Sequence, residues 1–179
     1  MNGTINNKLI LNADNGVGSI EWYVDASLVV HLDFKSYMGA IMKFEGSRGS
    51  VESTSSKQKL NTSSLTMAEL VAVDDALPMV LWTPLFLEAP GYGVYSYTVY
   101  QDNKSAILLE ENRKKSSGWC MHVLNVWYFM ITDQVEKGIV NIKYCPMYDM
   151  VGNCMSTGLQ GVKFEKFRNI IMGGKPIVI

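Results

Sequence analysis

Ile20-Glu21-Trp22-Tyr23-Val24-Asp25 is the stretch on which the reading of this chain turns. Its side chains alternate, with Ile20, Trp22 and Val24 on one face, which is the two-residue period of a half-buried β-strand. The strand ends on an acid, Asp25, followed by the small residues Ala26 and Ser27. Downstream, a second strand is predicted from Gly39 to Phe44 and a third from about Ser50 to Ser56. Glu45-Gly46-Ser47-Arg48-Gly49 forms the turn between them. Close spacing and a glycine-rich turn predict an antiparallel set.

From Thr66 to about Glu88 the apolar residues Leu70, Val73, Leu77, Val80 and Leu81 recur at helical spacing. Pro78 and Pro84 fall inside that helix; each lacks an N–H and crowds the preceding turn, so a kink or break is expected. Ala89-Pro90-Gly91 ends it. A fourth strand, Tyr95 to Gln101, leads into Asp102-Asn103-Lys104-Ser105 and a short helix to about Glu110. After the polar loop Asn112 to Gly118, Val123, Val126, Trp127, Met130 and Ile131 mark an amphipathic helix that Gly138 closes. A last strand is predicted from Ile139 to Cys145, and one or two helices between Tyr148 and Met172. This order describes a mixed α/β sheet flanked by helices. The expected division is an N-terminal extension (1–19), one domain (20–172) and a C-terminal tail (173–179).

The chain has 179 residues, 47% of them hydrophobic, which suits a single domain with a sizeable core. A net charge of −1 argues against a protein that only coats phosphate backbones. It leaves room for an enzyme that places cations between its own carboxylates and phosphates. Cys120, Cys145 and Cys154 are odd in number without Cys-x-x-Cys spacing. They read as reduced thiols of an intracellular protein, cytoplasmic or nuclear, not a secreted one. No apolar run approaching about 18 residues is apparent, so no membrane association is expected.

Three acids fall at element ends. Asp25 closes the first strand and Asp102 the fourth; if those strands are parallel neighbours, both carboxylates emerge at one edge of the sheet. Glu69 lies in the first turns of the long helix, within reach of that edge. Such a cluster suits hard divalent cations. Each acid also has a plain structural reading: Thr66-Met67-Ala68-Glu69 fits a capping box, Asp102 or Asn103 fits a helix cap, and Asp25 fits a turn. Spacing alone leaves both readings open.

The neighbouring residues resemble a known family. Tyr23-Val24-Asp25-Ala26-Ser27 is similar to the first catalytic motif of the ribonuclease H domain of copia-type LTR retrotransposon polyproteins. Lys57-Gln58-Lys59 and Ser64-Leu65-Thr66-Met67-Ala68-Glu69 resemble its S-K-K-Q-K and S-S-T-E-A-E segments. Tyr100-Gln101-Asp102-Asn103-Lys104-Ser105-Ala106 resembles its C-D-N-Q-S-A. The run from His122 through Trp127-Tyr128-Phe129-Met130-Ile131 and Leu159-Gln160-Gly161 complete the ordered set. The resemblance implies a ribonuclease H-like fold with a mixed five-stranded sheet and two Mg²⁺ ions, Mn²⁺ being an alternative. It implies cleavage of the RNA strand of an RNA–DNA hybrid, beside the reverse transcriptase domain of the same polyprotein. By motif position Asp25, Glu69 and Asp102 are the catalytic metal ligands. Lys57, Lys59, Asn103, Lys104, Arg113, Lys114 and Lys115 are candidates for nucleic-acid contact.

The fourth metal position departs from the family. Asn153 stands where its closing segment, P-T-x-x-x-A-D-x-F-T-K, has aspartate, and an uncharged amide oxygen should bind metal less well. Asp149, about one helical turn away, is a candidate substitute. Met67 replaces a glutamate, and Trp119-Cys120-Met121-His122 a basic run. These departures imply weakened activity or a catalytically inactive remnant. His122 and the aromatic residues Trp119, Trp127, Tyr128 and Phe129 have structural readings at least as good as functional ones.

Overall fold

The computed structural model describes residues 7–12, 18–28, 35–111 and 132–174. The expected amphipathic helix around Trp127, the loop with Arg113, Lys114 and Lys115, His31, His122 and Cys120 lie outside the described residues.

Strand β1 (Ser19–Ser27) is the third strand of a five-stranded sheet. It pairs antiparallel with β2 (Tyr37–Phe44), which pairs antiparallel with β3 (Glu52–Lys57). On its other side β1 pairs parallel with β4 (Ser96–Gln101), and β4 pairs parallel with β5 (Asn141–Tyr144). The order is β3-β2-β1-β4-β5, a mixed sheet as expected. Helix α1 (Leu65–Glu88) crosses from β3 to β4, and α2 (Lys104–Glu111) follows β4. A short helix α3 (Asn153–Ser156) and then α4 (Gly161–Ile171) complete the order.

The alternation in β1 sorts two cores. Ile20, Trp22, Val24 and Ala26 pack with Ala68, Ala72, Val73, Ala76, Leu77 and Val80 of α1. Fully burying a large apolar side chain contributes about 1.5–3 kcal/mol, and Trp22 is only 1% exposed. On the other face Tyr23 joins Ile41, Val151, Phe167 and Ile171 against α4. The sheet is thus covered on both sides.

Neither proline breaks α1. Thr83, just before Pro84, donates its hydroxyl to Met79 O one turn back (2.7 Å). The expectation that no stretch reaches membrane-spanning character needs correcting: α1 is long and apolar enough by length and composition. Its buried face packs against the sheet, and Asp74 and Asp75 interrupt its apolar run. Gly138 closes the helical residues 132–136 as predicted. Its φ is 69°, Gly138 N donates to Val135 O and Ile139 N to Gln134 O, the paired bonds of a left-handed helix stop.

Residues 7–12 lie along the end of α4. Ile10 N donates to Met172 O (2.9 Å) and Asn12 Oδ1 accepts from Arg48 N (2.6 Å).

Candidate metal centre

The register of β1 and β4 brings two acids together. Tyr23 pairs with Tyr100 at the end of the parallel ladder, and their rings stack with centroids 4.9 Å apart. Asp25 and Asp102 each lie two residues further along, where a period of two returns them to the same face of the sheet. Glu69 arrives from α1, on the opposite layer, and its Oε1 accepts from Ala26 N at 3.2 Å. One oxygen from each of Asp25, Glu69 and Asp102 lies within 4.8 Å of the other two.

The competing cap readings resolve in the same geometry. The N-cap of α1 is Ser64, not Thr66; its hydroxyl accepts from Met67 N at 3.2 Å. Glu69 bonds a strand 43 residues away in sequence, accepting from Ala26 N. Asn103, not Asp102, caps α2, its Oδ1 accepting from Ser105 N (3.0 Å) and Ala106 N (3.2 Å). With Asn103 serving as the cap, the Asp102 carboxylate joins the acidic group.

Two buried glutamines place the first turn of α1. Gln58 Nε2 donates to Ala68 O (2.7 Å) and Gln101 Nε2 to Glu69 O (3.3 Å). Sequence reasoning passed over both. Gln58 sits inside Lys57-Gln58-Lys59, where the lysines drew attention, and Gln101 directly precedes Asp102.

Burial pushes the Asp25 carboxyl up to about 7, and the nearby Asp102 charge adds to this. The Ser156 hydroxyl, which donates to Asp25 Oδ2, works against it, as does the Lys163 ammonium. Burial also raises Asp102, opposed by its own backbone N–H and by Lys163. Three acids converging with little water is an arrangement that a cation relieves. Ser156 and Lys163 were not singled out in the sequence. Ser156 lies three residues after Asn153, and Lys163 sits in an ordinary amphipathic helix.

Asn153 is buried, on the same short helix that carries Ser156. Asp149 does not join the acidic group: it is exposed and bonded to Lys166 Nζ at 3.0 Å. Lys57 lies at the same end of the sheet as Asp25, since Ser27 pairs with Tyr37 and Tyr37 with Lys57. Lys104 stands over the Tyr144 ring, 4.6 Å from its centroid. Lys59 is exposed and its charge reaches Asp75 on α1.

Comparison with known proteins bears on both fold and site. No protein-family model matches the chain. A retrovirus-related Pol polyprotein from a transposon of Nicotiana tabacum is 30% identical over 153 residues, covering 85% of this chain. The match spans 11% of that polyprotein's length. Among solved structures, the N-terminal ribonuclease H domain of a Mycobacterium tuberculosis protein superposes with a TM-score of 0.56 at 10% identity. It covers 85% of this chain and 97% of that one. A foamy viral protease-reverse transcriptase in complex with an RNA/DNA hybrid gives 0.51 at 15% identity, covering 82% of this chain and 20% of that one. The chain is therefore a ribonuclease H-fold domain, homologous to a segment of a retrovirus-related transposon Pol polyprotein.

Proposed function

We propose that this chain is the ribonuclease H domain of a copia-type retrotransposon polyprotein, hydrolysing the RNA strand of RNA–DNA hybrids with two divalent cations. The observation that carries this reading is the convergence of Asp25, Glu69 and Asp102 within 4.8 Å. The donor set fits a magnesium-class ion: three hard carboxylates, two of them buried, with burial and then the Asp102 charge raising Asp25 to about 7. When bound, Mg²⁺ or Mn²⁺ ions supply activation of water and stabilisation of a leaving oxygen.

The chain's own residues do the positioning. Asp25 and Asp102 present carboxylates from adjacent strand ends, and Glu69 is anchored to the strand through Ala26 N. Lys57 and Lys104, flanking the rim, are suited to phosphates of a hybrid, with Lys59 and the Arg113-Lys114-Lys115 segment as further candidates. The partners on this reading are the hybrid and the reverse transcriptase domain of the same polyprotein. The free thiols of Cys145 and Cys154 suit a cytoplasmic or nuclear setting.

Weakened activity follows from the fourth position. Asn153 brings no charge, and Asp149 is engaged by Lys166. The same pair of facts favours a second reading, a catalytically inactive remnant that retains the fold. A labelled RNA–DNA hybrid incubated with Mg²⁺ or Mn²⁺, using the wild-type chain and Asp25→Asn, separates them. RNA-strand cleavage abolished in the variant supports the enzyme. Equal signals from both proteins, or none from either, leave the remnant.

A further inference from the structure

Residues 152–156 are fitted against the end of β1 more closely than a surface turn requires. Gly39 and Gly152 provide the clearance. A Cβ on Gly39 would stand 2.4 Å from Gly152 O and 2.5 Å from Ser156 N. One on Gly152 would stand 2.7 Å from Tyr23 O and 3.3 Å from Asp25 Cβ. Two serines then hold the turn down: Ser27 Oγ donates to Ser156 O (2.8 Å), and Ser55 Oγ to Met155 O (2.6 Å). What this fitting delivers is the Ser156 hydroxyl. Ser156 is 7% exposed, and its Oγ donates to Asp25 Oδ2.

We infer that Ser156 is a positioning residue of the metal centre, its hydroxyl fixing the Asp25 carboxylate in the orientation that presents it to a divalent cation beside Glu69 and Asp102. The inference rests on the reading of the three acids as a metal site. An ionised carboxylate has about four acceptor directions. One donor on Oδ2 leaves capacity for a cation while removing the freedom of the group to turn. A buried carboxylate without such a donor would have to be oriented by the cation alone, at a cost in affinity. Partners that orient metal ligands typically contribute about 10–100-fold in metal affinity. The turn that carries Asn153 thus supplies a hydrogen bond from residue 156. Its effect reaches the cation through Asp25.

The test is direct titration of the full chain with MgCl₂ and MnCl₂ by calorimetry. Mn²⁺-induced broadening of amide resonances near residues 25, 69 and 102 locates the ion. Wild type, Ser156→Ala, Ser156→Thr and Asp25→Asn are compared. Wild type should bind and Asp25→Asn should lose binding. Ser156→Ala should bind about tenfold more weakly, while Ser156→Thr, which keeps the hydroxyl, should match wild type. Wild-type affinity in Ser156→Ala overturns the inference and leaves the metal centre standing. So does an equal loss in Ser156→Thr, which would assign the effect to packing. If the wild-type chain binds neither cation, the metal reading falls and the inference with it. Should Ser156→Ala fail to fold, the threonine variant still decides: lost binding in a folded Ser156→Thr overturns the inference.

Discussion

Asp25 on β1 is paired in register with Gly39 on β2, and no other residue type at 39 would leave room for the backbone of residues 152–156 beside the acid. Paired residues share a face of the sheet. The glycine therefore opens the space through which α3 reaches Asp25. Gly39→Ala should destabilise the protein by about 1–3 kcal/mol, the usual cost of overpacking against atoms that cannot rotate away. Urea denaturation measures this, and an unchanged midpoint would contradict the clearance.

The pH dependence of stability should report the buried acid. The folded protein retains a proton on Asp25 up to about pH 7, whereas the ordinary carboxyl releases it near 3.8. Between those values the folded state binds more protons, so stability of the metal-free protein falls as pH rises through that window. Asp74, raised to about 6 by burial and by Asp75, adds a fall of the same sign over a narrower range. Urea midpoints in EDTA should decline from about pH 4 to about pH 7, and Asp25→Asn should flatten part of that decline, because the raised carboxyls of Asp74, Asp75 and Asp102 contribute with the same sign. Divalent cations should reverse the trend, because binding requires the ionised carboxylate.

Restoring the missing charge should strengthen the site. Asn153→Asp is expected to raise Mg²⁺ affinity on the order of tenfold, since carboxylate count is a main determinant of affinity for hard cations. Calorimetric titration gives the comparison. Unchanged affinity would show that residue 153 does not reach the cation, and that the match to the family's closing segment is misplaced by a turn.

The start of α1 offers a test independent of metal. Ser64 caps the helix through Met67 N, but the third helical position holds methionine, which cannot return a hydrogen bond to the cap. Met67→Glu completes a reciprocal cap and adds a favourable charge near the helix N-terminus. A gain of about 0.5–1 kcal/mol in thermal or urea unfolding is expected. A loss would mean that repulsion from the nearby acids outweighs the cap.

Much of this arrangement was legible along the chain. The alternation of Ile20, Trp22 and Val24 identified β1 because side chains on a strand must face alternate layers. Gly138 predicted a helix end because a positive φ suits glycine. Helix α1 outlasted its prolines because tertiary packing along Ala72, Ala76 and Val80 outweighs the loss of single backbone bonds. Its likeness to a membrane span was missed because Asp74, Asp75 and two prolines masked a composition that remains strongly apolar.

By itself the sequence determined the order of the described elements and the placement of Asp25, Glu69 and Asp102 at element ends. Local propensity and periodicity act over a few residues, and that information is carried by the chain directly. Which acids cap and which converge was a tertiary matter. It depended on the parallel register that sets Asp25 beside Asp102, on the bond from Ala26 N to Glu69, and on Asn103 taking the cap. Ser156 belongs to the same class, since a hydrogen bond between residues 131 positions apart exists only once the sheet and α3 have been packed together.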